Sequence, residues 1–131
     1  MTTTLTIDIP RDYWMTANRP IASHGHRKRI IDALHERTVA SALRQGMTAI
    51  EGPHVARWTI HYPLGVGEAD PDNAFPTCKA LMDALVPRWV VNDSSKHITE
   101  RRYRRGPNLP DRRHYVVLLE LLPDRPGEGV R

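Results

Sequence analysis

Between Arg27 and Gln45 the chain carries neither proline nor glycine, although it has eleven prolines and eight glycines elsewhere. Both residue types interrupt helices, so this stretch is where a long helix fits. Ile30, Ile31, Leu34, Thr38 and Ala42 recur there at helical spacing, and Gly46 stands where a helix would stop. On either side the pattern changes. Leu5, Ile7 and Ile9 alternate with Thr4, Thr6 and Asp8, the period of two that marks a half-buried strand closed by Pro10. Val55 to Tyr62 predicts a second strand, and Ile98 to Arg104 and His114 to Leu122 predict two more. Ala74 to Val86 predicts a second helix, with Asn73 as its N-cap, Pro76 in its first turn and Pro87 beyond its end. The order strand, helix, strand, helix, strand, strand predicts an α/β (α+β) fold with helices against a mixed sheet.

A chain of 131 residues is the length of one domain. The expected domain spans residues 1–122, and the polar, glycine- and proline-rich residues 123–131 are expected to form a flexible tail. No apolar run approaches the ~18 residues of a membrane span. Met1 to Pro10 alternates rather than forming a continuous apolar core, so it does not read as a signal peptide, and a cytoplasmic location is expected. Cys78 is the only cysteine, which excludes an internal disulfide and a zinc site built on paired thiolates.

The formal charge of +4 is modest, but the basic residues cluster. Arg27, Lys28 and Arg29 are consecutive, and Arg101, Arg102, Arg104 and Arg105 crowd one predicted strand. Alternation puts those strand arginines on both faces, which suits an exposed edge near a polyanion better than a buried strand. The two groups are therefore candidate DNA-binding residues. His24 and His26 lack a third ligand of clear spacing and are left out of any metal shell.

Acidic residues form a second constellation. Asp70, Pro71, Asp72 and Asn73 follow a predicted strand, and an extended backbone would put the two carboxylates on one side. The residue before a proline is pushed toward the extended region, which favours that geometry at Asp70. Two adjacent carboxylates repel unless a cation lies between them, and hard oxygen ligands suit Mg²⁺ or Mn²⁺. Taken alone, the motif is more simply explained by an ordinary turn-and-cap role for Asp70, Asp72 and Asn73. A calcium loop is excluded, because its sixth and twelfth positions would be Phe75 and Leu81 rather than glycine and glutamate. Lys79 and Asp83, four apart, share a helix face, and Asp93 follows the apolar Trp89, Val90 and Val91. Lys79 could steady a phosphate, or simply pair with Asp83.

The ordered series Asp70-Pro-Asp72-Asn73, Lys79, Asp83-Ala84-Leu85 and Asn92-Asp93 resembles the signature of RusA-type Holliday-junction resolvases of phages and prophages. Pro76-Thr77 shortly before Lys79 resembles the actinobacterial phage branch, and Trp14-Met-Thr-Ala-Asn18 resembles the family's early asparagine motif. The likeness runs from about Leu5 to Leu122. It implies a homodimeric Mg²⁺-dependent endodeoxyribonuclease that makes paired nicks in four-way DNA junctions. It further implies that Asp70, Asp72 and Asp93 bind the metal and that Lys79 is the catalytic lysine. Two departures stand out: Asn92 replaces an aspartate, and the link from Asn73 to Lys79 is three residues longer than in the best-known member. A non-catalytic branched-DNA-binding module and a nuclease for flaps or RNA remain the alternatives.

Overall fold

Four strands and two helices condense as one layer on another. The computed structural model describes residues 1–124. Strand β1 spans Thr3–Pro10, helix α1 His24–Arg44, β2 His54–His61, α2 Phe75–Leu85, β3 Ile98–Arg105 and β4 His114–Pro123. The expected order therefore holds, in a single small α+β domain. The sheet order is β1-β4-β2-β3. Strand β4 is antiparallel to both neighbours, whereas β2 and β3 run parallel, so the sheet is mixed. Among the described residues no helix is long and apolar enough to cross a membrane. The tail expected over 123–131 lies outside the described residues from 125 onward. Pro123 closes β4, and the Asp124 amide donates to the Pro53 carbonyl at 2.9 Å.

Strand register decides which side chains meet. Leu5, Ile7 and Ile9 lie opposite Leu119, Val117 and Tyr115, and Trp58 and Ile60 lie opposite Leu119 and Val117. All are buried on the face that the helices cover. Leu34, Leu81 and Leu85 close the core from above at 0% exposure, and each such side chain contributes about 1.5–3 kcal/mol through loss of apolar surface from water. The free edge of β1 is blunted by Gln45, whose side-chain amide both accepts from Thr6 N and donates to Thr6 O.

Two boundaries differ from expectation. Helix α1 starts at His24, three residues before Arg27, because Ser23 Oγ accepts the His26 amide and caps it, and Gly25 fits within the first turn. The acidic segment is not extended beyond Asp70. Pro71–Ala74 forms a 3-10 turn that leads directly into α2, so Asn73 lies inside the turn and does not cap the helix with its side chain. Proline has the φ of a first helical position, and that preference continues past Asp70, which itself stays extended at ψ 117°.

Candidate active site

Helix α2 is the frame on which the candidate residues are arranged. Its buried Thr77 hydroxyl accepts the Met15 amide and donates to the Met15 carbonyl, both at 2.8 Å. The Ala17 amide donates to the Asn73 carbonyl at 2.9 Å. The segment after β1, with its Trp14 and Asn18, is thereby fastened beside the acidic turn.

Two residues beyond Thr77, Lys79 donates to Asp83 Oδ1 at 2.7 Å and to Asp93 Oδ2 at 2.8 Å. Hydrogen bonding to Asp83 and then to Asp93 raises the Lys79 ammonium above its ordinary pKa. The same contact with Lys79 holds the Asp93 carboxyl below its own, with Arg101 adding to the effect. The loop carrying Asp93 is shaped by Asn92, whose side-chain oxygen accepts the Ser94 amide at 2.9 Å, and by Arg101, which donates to the Asp93 carbonyl. Asn92, where the resemblance would have placed an acid, thus folds the loop.

Asp70 is the last extended residue before the 3-10 turn, and Asp72 stands within that turn. Asp70 borders a cavity of about 340 Å³ with Trp14, Tyr62, Tyr115, Asn18 and Asn73. Trp14 stacks on Tyr115 at 3.9 Å between ring centroids, and Tyr62 meets both edge-on. The Tyr103 phenol is pushed up first by burial, with Cys78 and Asp72 adding to it. Lys79, Asp93, Arg101 and Tyr103 line a second cavity of about 330 Å³. Among the described residues no group of three or more Asp, Glu, His or Cys side chains stands close enough to hold a metal ion. Asp93 is instead occupied by Lys79.

No protein-family model matches the chain. No curated protein matches it either.

The strand arginines divide by register. Arg101, Tyr103 and Arg105 pair with Ala56, Trp58 and Ile60 and so share the helix-covered face with Lys79. Arg102 and Arg104 stand on the opposite, open face, paired in register with Arg57 and Thr59. There Arg104 donates to Thr59 Oγ1 at 2.8 Å and Arg102 pairs with Glu100. Arg105 turns inward: it donates to the Val66 and Gly67 carbonyls and lies 4.6 Å over the Tyr62 ring, pinning the loop that leads to Asp70. Of the α1 cations, Arg27 lines a groove with Phe75 and Lys79, while Lys28 pairs with Asp32 at 2.7 Å. Arg29 runs back beside Gly25 in the first turn. Sequence reasoning missed the aromatic cluster of Trp14, Tyr62 and Tyr115. Its members are far apart in the chain, and only the sheet register brings Tyr62 and Tyr115 together.

Proposed function

We propose that the chain is a Mg²⁺-dependent endodeoxyribonuclease that acts as a homodimer on branched DNA, with the four-way junction as its substrate and the cytoplasm as its compartment. The observation that carries this reading is Lys79 bonded at once to Asp83 and Asp93. Three acidic or basic positions of the resolvase-like series, separated in sequence, meet at one point beside Arg101. Exposed Asp70 and Asp72 begin the segment that leads into the same helix.

The donor chemistry fits Mg²⁺ or Mn²⁺, since Asp70, Asp72 and Asp93 offer only hard carboxylate oxygens. When bound, such an ion would lower the pKa of a water and draw charge from a phosphate oxygen. The protein's own contributions are distinct. Asp70 and Asp72 would supply oxygens from the turn, and Asp93, once released from Lys79, one from a loop whose shape Asn92 and Arg101 hold. Lys79 would bring a cation to the negative charge that builds on a phosphate in displacement at phosphorus. Arg101 and Arg27 border the cavities that Lys79 also lines and would hold neighbouring phosphates. A two-fold dimer would present two identical sites to the paired scissile positions of a junction.

One observation favours a second reading, a branched-DNA-binding module without turnover: Asp93 is neutralised by Lys79, and no three carboxylates converge among the described residues. Cleavage of an end-labelled four-way junction beside linear duplex, in Mg²⁺ or in chelator, separates the two. The enzyme makes paired nicks confined to the junction, lost in chelator and in Asp72→Asn. Junction binding with no cutting in Mg²⁺ or Mn²⁺ leaves the binding module.

A further inference from the structure

Arg19 belongs to neither basic cluster of the sequence and stands in the connection between β1 and α1. A tight turn presents it: the Arg19 amide donates to the Thr16 carbonyl at 3.2 Å, and Pro20 follows with its fixed φ. The turn is anchored to α2 and the acidic turn before it, because Met15 is bonded to Thr77 and the Ala17 amide to the Asn73 carbonyl. Between this connection and α2 lies a groove of about 290 Å³. Met15, Ala17, Pro20, Ile21 and Pro76 give it an apolar lining. Three cations, Arg19, Arg27 and Lys79, border it, and no acidic side chain does. Lys79 already serves Asp83 and Asp93, whereas among the described residues Arg19 and Arg27 make no ion pair. Arg27 stands in the first turn of α1, which carries no acidic residue, so the positive end of that helix adds to the same charge. Charges of one sign gathered along a groove raise the local concentration of a polyanion. The groove is also continuous with its neighbours. Thr16 and Arg19 line the cavity of Asp70 as well, and Lys79 lines the cavity of Asp93 and Arg101.

We propose that this groove holds the backbone of one DNA strand, with Arg19 and Arg27 each on a phosphate, and leads that strand between Lys79 and Asp70. Arg19 is thereby a DNA-binding residue that joins the two sides of the candidate site. The inference rests on the nucleic-acid reading given above and gives the strand a path through it. Each guanidinium offers a fork of N–H donors that matches phosphate oxygens, and the apolar lining suits the sugars between them. Such contacts fix the register and orientation of a strand without reading its sequence. The hydrogen bonds of Met15 and Ala17 hold the groove in shape before a strand arrives, so little ordering accompanies binding.

The test is binding of a labelled four-way junction in chelator over a series of salt concentrations, so that no cutting intervenes. Arg19→Gln and Arg27→Gln each remove one charge from the groove, and Arg44→Gln removes one from the far end of α1 as a matched control. The slope of log affinity against log salt should fall by about one unit in each groove variant and by about two in the double variant. It should keep the parent value in Arg44→Gln. In the parent protein, a single-stranded oligonucleotide should shift the Ile21 methyl resonances saturably. Ile21→Val identifies those signals, and inorganic phosphate is the control that carries the anion without a strand. Equal slopes in Arg19→Gln and Arg44→Gln overturn the idea, as does an Ile21 signal that stays in place or that phosphate alone moves as far. Because the Ile21 signal is read in the parent, a poorly folding arginine variant does not remove the test. A chain that cuts junctions while both groove variants keep the parent slope loses the groove alone. Slopes that fall in a chain that never cuts support the groove and remove only the nuclease.

Discussion

Lys79 Nζ lies 2.8 Å from Asp93 Oδ2 and so ties the second turn of α2 to the loop before β3. The two side chains are 51% and 26% exposed, so water competes for both. A pair of that kind contributes at most about 1 kcal/mol to folding. The pair therefore does little to hold the fold together.

Lys79→Met separates stability from the proposed chemistry. Urea unfolding should show a loss of no more than ~1 kcal/mol. Carboxyl titration should show Asp93 moving up toward its ordinary value, since Lys79 is the main cause of its depression. Junction cleavage should fall ~10²-fold or more, as when a group that stabilises transition-state charge is removed. Full cleavage by a folded Lys79→Met protein would remove the lysine from the chemistry.

Arginines three residues apart should behave differently. Arg101 shares the face of Lys79, whereas Arg104 bonds Thr59 on the open face. Each lost phosphate contact lowers the salt dependence of binding by about one unit of slope. Arg101→Gln should show that change on a four-way junction, and Arg104→Gln should leave the slope as it is. The reverse pattern would place nucleic acid on the open face of the sheet.

Local patterns were legible in the sequence wherever one period dominated. Leu5, Ile7 and Ile9 alternate, and they are buried as alternation requires; the element order follows for the same reason. The acidic turn was harder, because Pro71 favours extension in the residue before it and helical φ at itself. The second effect governs Asp72, which stands in a 3-10 turn and not in an extended segment. The arginine run shows a different limit. Alternation assigns Arg101 and Arg102 to opposite faces but cannot say which face is covered until β2 and β3 are in register. Lys79 and Asp83 meet through helical spacing alone. Lys79 and Asp93 meet only because α2 and the loop after it pack together, information that no local period carries.

Thr77 should prove more important to stability than the charged residues around it. Its hydroxyl serves both the amide and the carbonyl of Met15, and Thr77 and Met15 are both buried. Valine keeps the shape and removes both bonds, leaving two backbone groups without partners in the interior. Thr77→Val should cost about 1–3 kcal/mol in urea unfolding. Exchange of the Met15 amide hydrogen should quicken at the same time. A neutral Thr77→Val would mean that water reaches Met15 and that the segment bearing Trp14 is held by other contacts.

The open face of the sheet predicts an acid limb to the stability curve. Glu120 accepts from Arg57 Nε at 3.0 Å and Arg57 Nη2 at 2.9 Å, and Arg104 approaches at 3.5 Å. Hydrogen bonding to Arg57 is the main reason its carboxyl is held below the ordinary 4.5. A carboxyl depressed in the folded state stabilises the fold fully above its unfolded value, and the contribution is lost as pH falls through the folded value. Asp93, Glu100 and Asp111 are depressed as well, so the acid slope of the parent protein contains several groups. Glu120→Gln isolates one of them. The variant should unfold at a lower temperature than the parent at neutral pH, and the gap should close as pH drops below about 4.5, where the parent also loses the charge. A gap that stays constant down to pH 2 would mean that the Arg57 contact contributes through shape and not through the charge of Glu120.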